Sequence, residues 1–304
     1  SDGKMIGMPF NSSSPIMYYN EDALNAAGVT PPQTWEEFQT VTAPALKDAG
    51  YTALAQSHLP WIFTENFMSR HNLPFATNNN GYDGLDTEIL VNNDAIKAHF
   101  TAVTEWQEQG YFEWFGTGWS DNQTPFEEGK VAIWLGSSGS FGGLAAKDLG
   151  FDFSATYLPY WEAITTEPKQ TFIGGAALFA MSGKSDAENE ATAAFFEFLT
   201  KPETQYFWHR ETGYVPITTA AYDLAKAEGY YEEAPAAEVG IQQLSLPAGE
   251  NTAGYRMGFY VQIRDVMNRE YGRILTGETS VEDAFKNIET EANDLLARFA
   301  KTQG

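Results

Sequence analysis

Hydrophobic residues recur at two spacings along the chain, and the two spacings predict strands that alternate with helices. Short apolar runs predict strands at residues 5–10, 53–56 and 131–136. Helical spacing is clear at Ile96, Phe100, Val103 and Trp106, and a longer apolar face runs from Val281 through Ala284, Ile288, Ala292 and Leu295 to Phe299. This alternation indicates an α/β fold.

Local signals fix where several helices begin and end. Gly28 follows an apolar helical stretch, and glycine readily takes the left-handed conformation that ends a helix. Thr34 with Glu37 three residues later predicts a capping box at the start of the next helix. Ser280 and Asp283 form a similar pair before the final helix. These positions predict helix boundaries without any tertiary information.

Two glycine-containing stretches stand out. IGGAALFAM, residues 173–181, predicts a buried strand that begins where another group comes close to the backbone, because Gly174 and Gly175 lack a Cβ atom. SSGSFGG, residues 137–143, predicts a turn after the strand at 131–136. Its amides and hydroxyls, including those of Ser137 and Ser138, are able to point at one oxyanion, although an ordinary turn has the same composition.

Composition excludes several classes of function. The 304 residues carry a formal charge of -23, and the 18 Lys and Arg are scattered, so we expect no nucleic-acid partner. The absence of cysteine excludes disulfides, thiolate nucleophiles and cysteine-based zinc sites. No apolar run approaches the roughly 20 residues that cross a bilayer. With 43% hydrophobic residues, the chain has ample material for a globular core.

Catalytic and metal-binding patterns do not emerge from the sequence. None of the four histidines has the spacing of a metal-binding helix pair, so we expect no metal and no cofactor. Ser138 follows Gly136 but precedes Ser140, which breaks the nucleophile-elbow pattern. We therefore do not expect an enzyme. Tyr214 fits either a core edge or the wall of a ligand site, and Arg264 fits either a ligand contact or an ordinary salt bridge.

Several motifs, taken in order, resemble the extracytoplasmic solute-binding proteins of bacterial ABC importers, in particular members that bind glycerol 3-phosphate or glycerophosphodiesters. The motifs are PFNSSSP (9–15), SSGS (137–140), IGGAALFAM (173–181), WHRETGYVPIT (208–218) and QIR (262–264). The resemblance covers essentially the whole chain. It implies a monomeric protein of the periplasm, or one held outside the cytoplasm by a lipid anchor, that delivers its ligand to membrane permease subunits.

The same resemblance implies a two-lobe fold of class II type, in which several chain crossings join two α/β lobes around a ligand cleft. Residues 1–8 would end the N-terminal lobe, and 156–213 would return to it. Residues 9–155 and 214–304 would form the C-terminal lobe. An N-terminal part of the first lobe would be absent from this chain.

The resemblance also implies a set of ligand-binding residues: Ser13, Ser137, Gly175, Tyr214 and Arg264, with Ser12, Ser138 and Gly174 as further candidates. In this interpretation Gly175 offers its backbone amide to a phosphate. Arg264 supplies a charged planar fork.

His58 marks a departure from that pattern. Glycerol 3-phosphate binders have a tryptophan at this position, three residues before the one that matches Trp61. The smaller imidazole leaves room for a diester such as glycerophosphocholine, unless the loop shifts and Trp61 fills the space.

A sugar or oligosaccharide ligand is the alternative, since eight Trp and fifteen Tyr would serve for stacking. It predicts that Arg264 points away from the cleft.

Overall fold

The computed structural model describes residues 5–303 and contains two sheets surrounded by helices. The strands are β1 (Met8–Ser13), β2 (Pro15–Asn20), β3 (Thr52–Gln56), β4 (Val131–Ser137), β5 (Phe153–Thr156) and β6 (Gly174–Leu178). The α-helices are α1 (Glu21–Ala27), α2 (Trp35–Glu37), α3 (Ala43–Asp48), α4 (Phe67–Arg70), α5 (Thr77–Gly81), α6 (Asp94–Glu108), α7 (Trp119–Glu127), α8 (Phe141–Ala145), α9 (Asp186–Leu199), α10 (Pro202–Thr212), α11 (Thr219–Ala227), α12 (Tyr230–Glu233), α13 (Val239–Leu244), α14 (Tyr260–Leu275) and α15 (Val281–Gln303). Two π-helices (Phe38–Thr42 and Pro60–Asn66) and two 3₁₀ turns (Ser138–Ser140 and Pro235–Ala237) complete the elements.

The larger sheet has the strand order β3-β4-β2-β5, with β3 and β4 parallel and the other pairs antiparallel. The smaller sheet pairs β1 with β6 in antiparallel orientation. Only Ser14 separates β1 from β2, so the chain passes from one sheet to the other within a single residue. The carboxyl ends of β3 and β4 meet at one edge of the larger sheet, which is where open α/β sheets bind ligands.

Side chains of the larger sheet alternate between two hydrophobic clusters, as the pleat of a strand requires. Met17 and Ile133 face the main cluster, which helices α6, α14 and α15 cover. Tyr18 and Trp134 face the second cluster and stack with ring centroids 5.3 Å apart. The central strands are therefore buried on both faces, which gives the candidate site a rigid base.

The helix-boundary predictions are confirmed. Helix α1 ends at Gly28, whose φ of 69° is left-handed. Thr34 Oγ1 accepts a hydrogen bond from Glu37 N, but the Glu37 carboxylate bonds to Gln33 N rather than to Thr34 N. Ser280 Oγ accepts from Asp283 N. The capping hydrogen bonds therefore form as predicted, except that the Glu37 carboxylate accepts from the backbone N–H of Gln33, one residue before the expected Thr34.

IGGAALFAM forms a strand, as predicted, but the prediction that it is buried is wrong. In the described part of the chain, β6 pairs only with β1, and its residues are exposed or half-buried. The flanking Phe179 is 61% exposed. Phe195 and Phe198 of α9 are also exposed, because a two-stranded sheet offers too little surface to cover them.

The predicted turn at 137–143 is also more regular than expected. Residues Ser138–Ser140 form a 3₁₀ turn that leads directly into α8. Ser137 initiates it, because its hydroxyl oxygen accepts a hydrogen bond from Gly139 N. The glycine-serine composition therefore produces a capped helical turn rather than an open loop.

A buried polar cluster joins the two places where the chain passes between the sheets. Ser14 Oγ lies 2.8 Å from Thr171 Oγ1, and Gln243 Nε2 donates to Ser14 Oγ at 2.8 Å. Gln243 Oε1 accepts from Leu158 N at 2.7 Å. Beyond this cluster, Trp161 and Phe172 pack against the main hydrophobic cluster. The residue boundaries of the two lobes stay a prediction.

Candidate ligand-binding site

A cleft of about 390 Å³ opens at the carboxyl ends of β3 and β4. His58 follows β3, and Ser137 ends β4, so the parallel pair aims both residues at the same edge. The residues that line the cleft are Ser13, His58, Trp61, Trp119, Ser137, Gly139, Ser140, Gly174, Gly175, Tyr214 and Arg264. The structure thus brings together Ser13, His58, Ser137, Gly175, Tyr214 and Arg264, which the sequence analysis singled out, along with Trp61 and Gly174.

The Ser137 turn and the Tyr214 ring form one wall of the cleft. Ser137 Oγ accepts from Gly139 N at 3.1 Å, which leaves its proton free to be donated to a ligand. A Cβ atom on Gly139 would lie 2.7 Å from the Tyr214 ring, so glycine is needed for the ring to pack against the turn. Tyr214 follows Gly213, whose φ of 85° ends α10 and redirects the chain into the cleft. Its carbonyl is held by His209 Nδ1.

Gly174 and Gly175 approach other parts of the protein. A Cβ atom on Gly175 would lie 1.4 Å from the carbonyl oxygen of Asn11 on the paired strand β1. A Cβ atom on Gly174 would lie 2.5 Å from the indole of Trp61. Strand pairing and indole packing therefore demand glycine at these positions, whatever ligand the cleft receives.

His58 and Trp61 form the opposite wall, with ring centroids 6.2 Å apart in an edge-on arrangement. His58 has a left-handed φ of 57°, a conformation that is uncommon for residues other than glycine. Burial, and after it the charge of Arg264, lowers the pKa of His58, so its imidazole is neutral at pH 7. His58 Nδ1 and Trp61 Nε1 are buried with no hydrogen-bond partner in residues 5–303. A polar ligand or water would satisfy both atoms.

Arg264 lines the cleft and also forms a salt bridge, whereas its contact with a ligand stays a prediction. Its Nε donates to Glu65 Oε1 at 2.7 Å, and its Nη2 donates to Glu65 Oε2 at 2.5 Å. The hydroxyls of Tyr255 and Tyr260 donate to the same carboxylate at 2.8 and 2.7 Å. Burial alone would lower the pKa of Arg264, but the hydrogen bonds and charge of Glu65 outweigh it and raise the pKa. The guanidinium is a fixed cation.

Ser12 and Ser138 lie beside the cleft but do not line it. Ser12 O accepts a hydrogen bond from Val215 N at 2.7 Å. Ser138 N donates to Ser14 O, and Ser138 Oγ accepts from Ser14 N. Both serines therefore fasten neighbouring chain segments together behind the cleft.

Trp119, Gly139 and Ser140 line the cleft, and Glu65 holds Arg264 there, but none of the four was singled out from the sequence. Ser140 and Gly139 sit within the SSGS motif and could have been included on that signal. Trp119 carries no motif, and its position depends on Ser57 Oγ, which donates to Trp119 O at 2.8 Å. Glu65 meets Arg264 from 199 residues away, which no local pattern reveals.

Two further properties bear on the class of protein. In residues 5–303 there is no group of three or more histidine or acidic side chains arranged to hold a metal ion. Over the same residues, no helix combines the length and apolar character needed to span a bilayer.

Two sheets bridged by closely spaced chain crossings, with a polar and aromatic cleft beside them, define the class of solute-binding proteins. The chain belongs to the bacterial extracellular solute-binding proteins, whose family model matches residues 1–239. It is 37% identical over 306 residues to the sn-glycerol-3-phosphate-binding periplasmic protein UgpB of Pectobacterium atrosepticum, an alignment that covers 99% of this chain and 68% of the relative.

Solved structures give the same fold. The crystal structure of UgpB from Mycobacterium tuberculosis in complex with glycerophosphocholine matches with a TM-score of 0.79 and 23% identity, over 98% of this chain and 72% of the other. The cyclic alpha-maltosyl-1,6-maltose binding protein from Arthrobacter globiformis matches with a TM-score of 0.76 and 22% identity, over 97% and 73%. These findings confirm the predicted family and the two-lobe α/β fold. The family also confirms the expected extracytoplasmic location.

Proposed function

We propose that this protein is a non-catalytic substrate-binding protein that delivers a glycerol-phosphate ester to the membrane permease of an ABC importer. The observation that carries the proposal is the position of Arg264 on a cleft that also holds the hydroxyls of Ser13 and Ser137. A guanidinium and serine hydroxyls are donors suited to phosphate oxygens. The protein would act as a monomer outside the cytoplasm.

The donor set is sufficient for useful affinity. Hydrogen bonds to a charged group contribute on the order of 1.5 to 3 kcal/mol each, and micromolar binding needs about -8 kcal/mol. Arg264, Ser13 and Ser137 all line the cleft and would supply several such bonds. Trp61 Nε1 adds a buried donor that lacks a partner in residues 5–303.

His58 favours an ester that carries a head group. Its ring is smaller than an indole, and both His58 and Trp61 line the cleft side by side. A neutral imidazole is able to accept or donate one hydrogen bond without repelling a cationic head group. Glycerophosphocholine therefore fits the proposal at least as well as glycerol 3-phosphate. Both ligands occur among the similar proteins, since one relative is named for sn-glycerol 3-phosphate and one similar crystal structure is a complex with glycerophosphocholine.

A sugar or oligosaccharide is the second candidate. Trp61, Trp119 and Tyr214 all line the cleft and offer aromatic surface for stacking on sugar rings. The similar Arthrobacter protein is named for a maltose-type ligand. This candidate expects Arg264 to point elsewhere, so its position on the cleft favours the phosphate ester.

Calorimetric titration with glycerol 3-phosphate, glycerophosphocholine and maltose in parallel tests the proposal. We expect saturable binding of a phosphate ester, weakened roughly tenfold by Ser13→Ala because one hydrogen bond to a charged oxygen is lost. Ser12→Ala is the matched control, since Ser12 lies next to Ser13 but off the cleft, and should leave affinity unchanged. Binding of maltose alone would overturn the phosphate assignment.

The non-catalytic part of the proposal has a separate test. Prolonged incubation with glycerophosphocholine should release neither choline nor glycerol 3-phosphate, because in the described residues there is no metal-binding cluster and no serine of the cleft is hydrogen-bonded to a histidine that would activate it. Turnover that tracks the purified protein would show an enzyme instead.

A further inference from the structure

We propose that His209, which does not line the cleft, is a positioning residue for the ligand site: it fixes the peptide that joins Tyr214 to Val215, and this peptide holds the Tyr214 ring in place beside strand β1. The inference rests on the proposed function only for its choice of ligand, because it concerns the shape of the cleft wall. His209 is 0% exposed and is not among the residues that line the cleft.

The Tyr214–Val215 peptide is hydrogen-bonded at both of its polar groups. Its carbonyl oxygen accepts from His209 Nδ1 at 2.8 Å. Its N–H, which belongs to Val215, donates to Ser12 O on β1 at 2.7 Å. Because a peptide unit is planar, two bonds at its opposite ends fix the orientation of the whole unit. Tyr214 lines the cleft, and so does Ser13, the residue after Ser12, so one peptide plane connects two residues of the ligand site.

The turn that precedes Tyr214 makes such a restraint necessary. Gly213 has a left-handed φ of 85°, and glycine restricts the direction of the following residue less than any other residue does. Thr212 Oγ1 accepts from Tyr214 N at 3.1 Å, which restrains one side of the turn. The bond from His209 restrains the other side, at the carbonyl. Without it, rotation about Gly213 would carry the Tyr214 ring away from its place on the cleft wall.

The hydrogen-bond partners of His209 determine its tautomer. A carbonyl oxygen only accepts, so the proton of the ring is on Nδ1, which faces Tyr214 O. Burial lowers the pKa of His209, so the ring is neutral at pH 7 and its Nε2 is an acceptor. The Tyr231 hydroxyl, whose pKa is raised by burial, donates to Nε2 at 3.1 Å. All donors between Tyr231 and Ser12 O therefore point the same way, and in such a series each bond strengthens the next.

The imidazole of His209 is itself held firmly. Its ring packs against the rings of Tyr230 and Tyr231, with centroids 5.5 and 5.7 Å away. A donor on a ring that cannot turn sets the direction of the bond that it makes. We therefore expect the loss of the Nδ1–H donor to weaken ligand binding through the Tyr214 peptide, although no atom of His209 lines the cleft.

Asparagine and glutamine at position 209 separate this hydrogen bond from the packing of the ring. Asparagine carries its amide on Cγ, where histidine carries Nδ1, so His209→Asn keeps a donor for Tyr214 O. Glutamine carries its amide one atom farther out, near the position of Nε2, so His209→Gln keeps a partner for Tyr231 and loses the bond to Tyr214. Glutamine is also the larger side chain, so a role in packing alone predicts the opposite order of affinities.

Calorimetry with glycerol 3-phosphate and glycerophosphocholine measures the affinity of each variant, and urea unfolding measures its stability separately. We expect His209→Gln to raise the Kd of the bound ester roughly fivefold, because one hydrogen bond that orients the site is lost. His209→Asn should stay within about twofold of the wild-type protein.

Tyr222→Phe is the control for a disturbance of the same aromatic cluster. Tyr222 packs against Tyr231, but its hydroxyl donates to Glu238 rather than to His209. This variant also loses one buried-side hydrogen bond, and it should bind the ester with the wild-type Kd. Equal losses of affinity in the two His209 variants, or a smaller loss in His209→Gln, would overturn the proposal.

Nitrogen-15 NMR of the unmodified protein gives a second test that needs no variant. We expect a neutral His209 ring with its proton on Nδ1, and a shift of that Nδ1 signal when the ester binds. A ring protonated at Nε2 alone, or an Nδ1 signal that ignores the ligand, contradicts the role of His209 even if both variants fail to fold. If maltose binds and neither ester does, the proposed function fails, and the same variants are then ranked by their affinity for maltose.

Discussion

Gly175 must be glycine because another part of the backbone lies against it, a contact that the sequence indicates but does not identify. Its φ is 107°, and a Cβ atom there would lie 1.4 Å from Asn11 O. Paired glycines before an apolar run do indicate a close approach, but they do not say what approaches. The answer is the backbone of β1 at Asn11, next to the point where the pairing with β6 is irregular.

Replacing Gly175 with alanine should destabilise the protein by on the order of 3 kcal/mol, because the strand pair must separate and the backbone is strained. Urea unfolding measures this loss. Gly143→Ala is the control: Gly143 lies in α8 with nothing within 4 Å of its Cβ position and no positive φ. It should be neutral or stabilising by about 0.5 to 1 kcal/mol. Equal effects of the two variants would contradict the steric argument.

The residues of the cleft divide by how far they could be predicted. Ser13, Tyr214 and Arg264 came from motifs, since each sits in a short segment with recognisable neighbours. Glu65 could not be found that way, because its role exists only once α14 brings Arg264 beside it. Sequence patterns identify residues that share a motif and miss those whose partners are distant.

At the scale of elements, α4 and its flanking residues clamp the segment 158–172, which links the larger sheet to β6. Arg70 Nη1 donates to Lys169 O at 2.7 Å, and Arg70 Nη2 donates to Leu158 O at 3.1 Å. Ser69 Oγ donates to Gln170 O. Arg70 has no acidic partner in the described residues, and burial lowers its pKa to about 10. Carbonyl groups therefore compensate this buried cation.

Two buried histidines complete the clamp by accepting hydrogen bonds from Trp161. His71 Nδ1 donates to Phe67 O, so its Nε2 is free to accept from Trp161 N at 2.8 Å. His99 Nδ1 accepts from Trp161 Nε1 at 3.1 Å. Only neutral imidazoles are able to accept these bonds. Burial, with a further contribution from Arg70, lowers the pKa of His71 to about 4, and burial lowers that of His99 well below its usual range.

Acid should therefore weaken the fold before the carboxylates titrate. In the unfolded chain His71 binds a proton below about pH 6.5, whereas in the folded chain it does so only near pH 4. The contribution of His71 to the free energy of unfolding is therefore complete above about pH 6.5 and decreases as the pH falls towards 4. His71 alone accounts for about 3 kcal/mol of this loss. Urea unfolding at about pH 7 and about pH 5.5 measures the slope.

His71→Gln provides the comparison, because glutamine still accepts a hydrogen bond but does not titrate. We expect a shallower loss of stability over the same pH range. An identical slope in the variant would show that other groups are responsible.

Elements are predictable where their causes are local. The end of α1 at Gly28 and the start of α2 after Thr34 depend on neighbours within four residues. The exposure of β6 was not predictable, because the burial of a strand depends on which other surfaces cover it. Nor was the π-helix Pro60–Asn66 predicted, in which Thr64 Oγ1 lies 2.7 Å from the hydroxyl of Tyr271 in α14. The α/β class, by contrast, follows from the alternating periodicities.

At the scale of the whole molecule, the acidic charge and the neutral ion pair act together. The protein carries -23, and Arg264, the one permanent cation among the described residues that line the cleft, is paired with Glu65. Surface charges farther than about 10 Å away are screened at 0.1 M salt, but not at low salt. The affinity for an anion therefore depends on short hydrogen bonds within the cleft, whereas its association rate depends on the electrostatic field of the whole protein.

That separation has a kinetic consequence. An anionic ester should associate slowly at low ionic strength and at least roughly twofold faster as salt rises from about 10 to about 200 mM, the reverse of electrostatically steered capture. Stopped-flow fluorescence of Trp61 and Trp119 follows the association rate. A rate that falls with salt would show an attractive local field at the entrance. With Glu65 in place, the cleft does not draw its ligand in from a distance, and the ligand must reach it by unassisted diffusion.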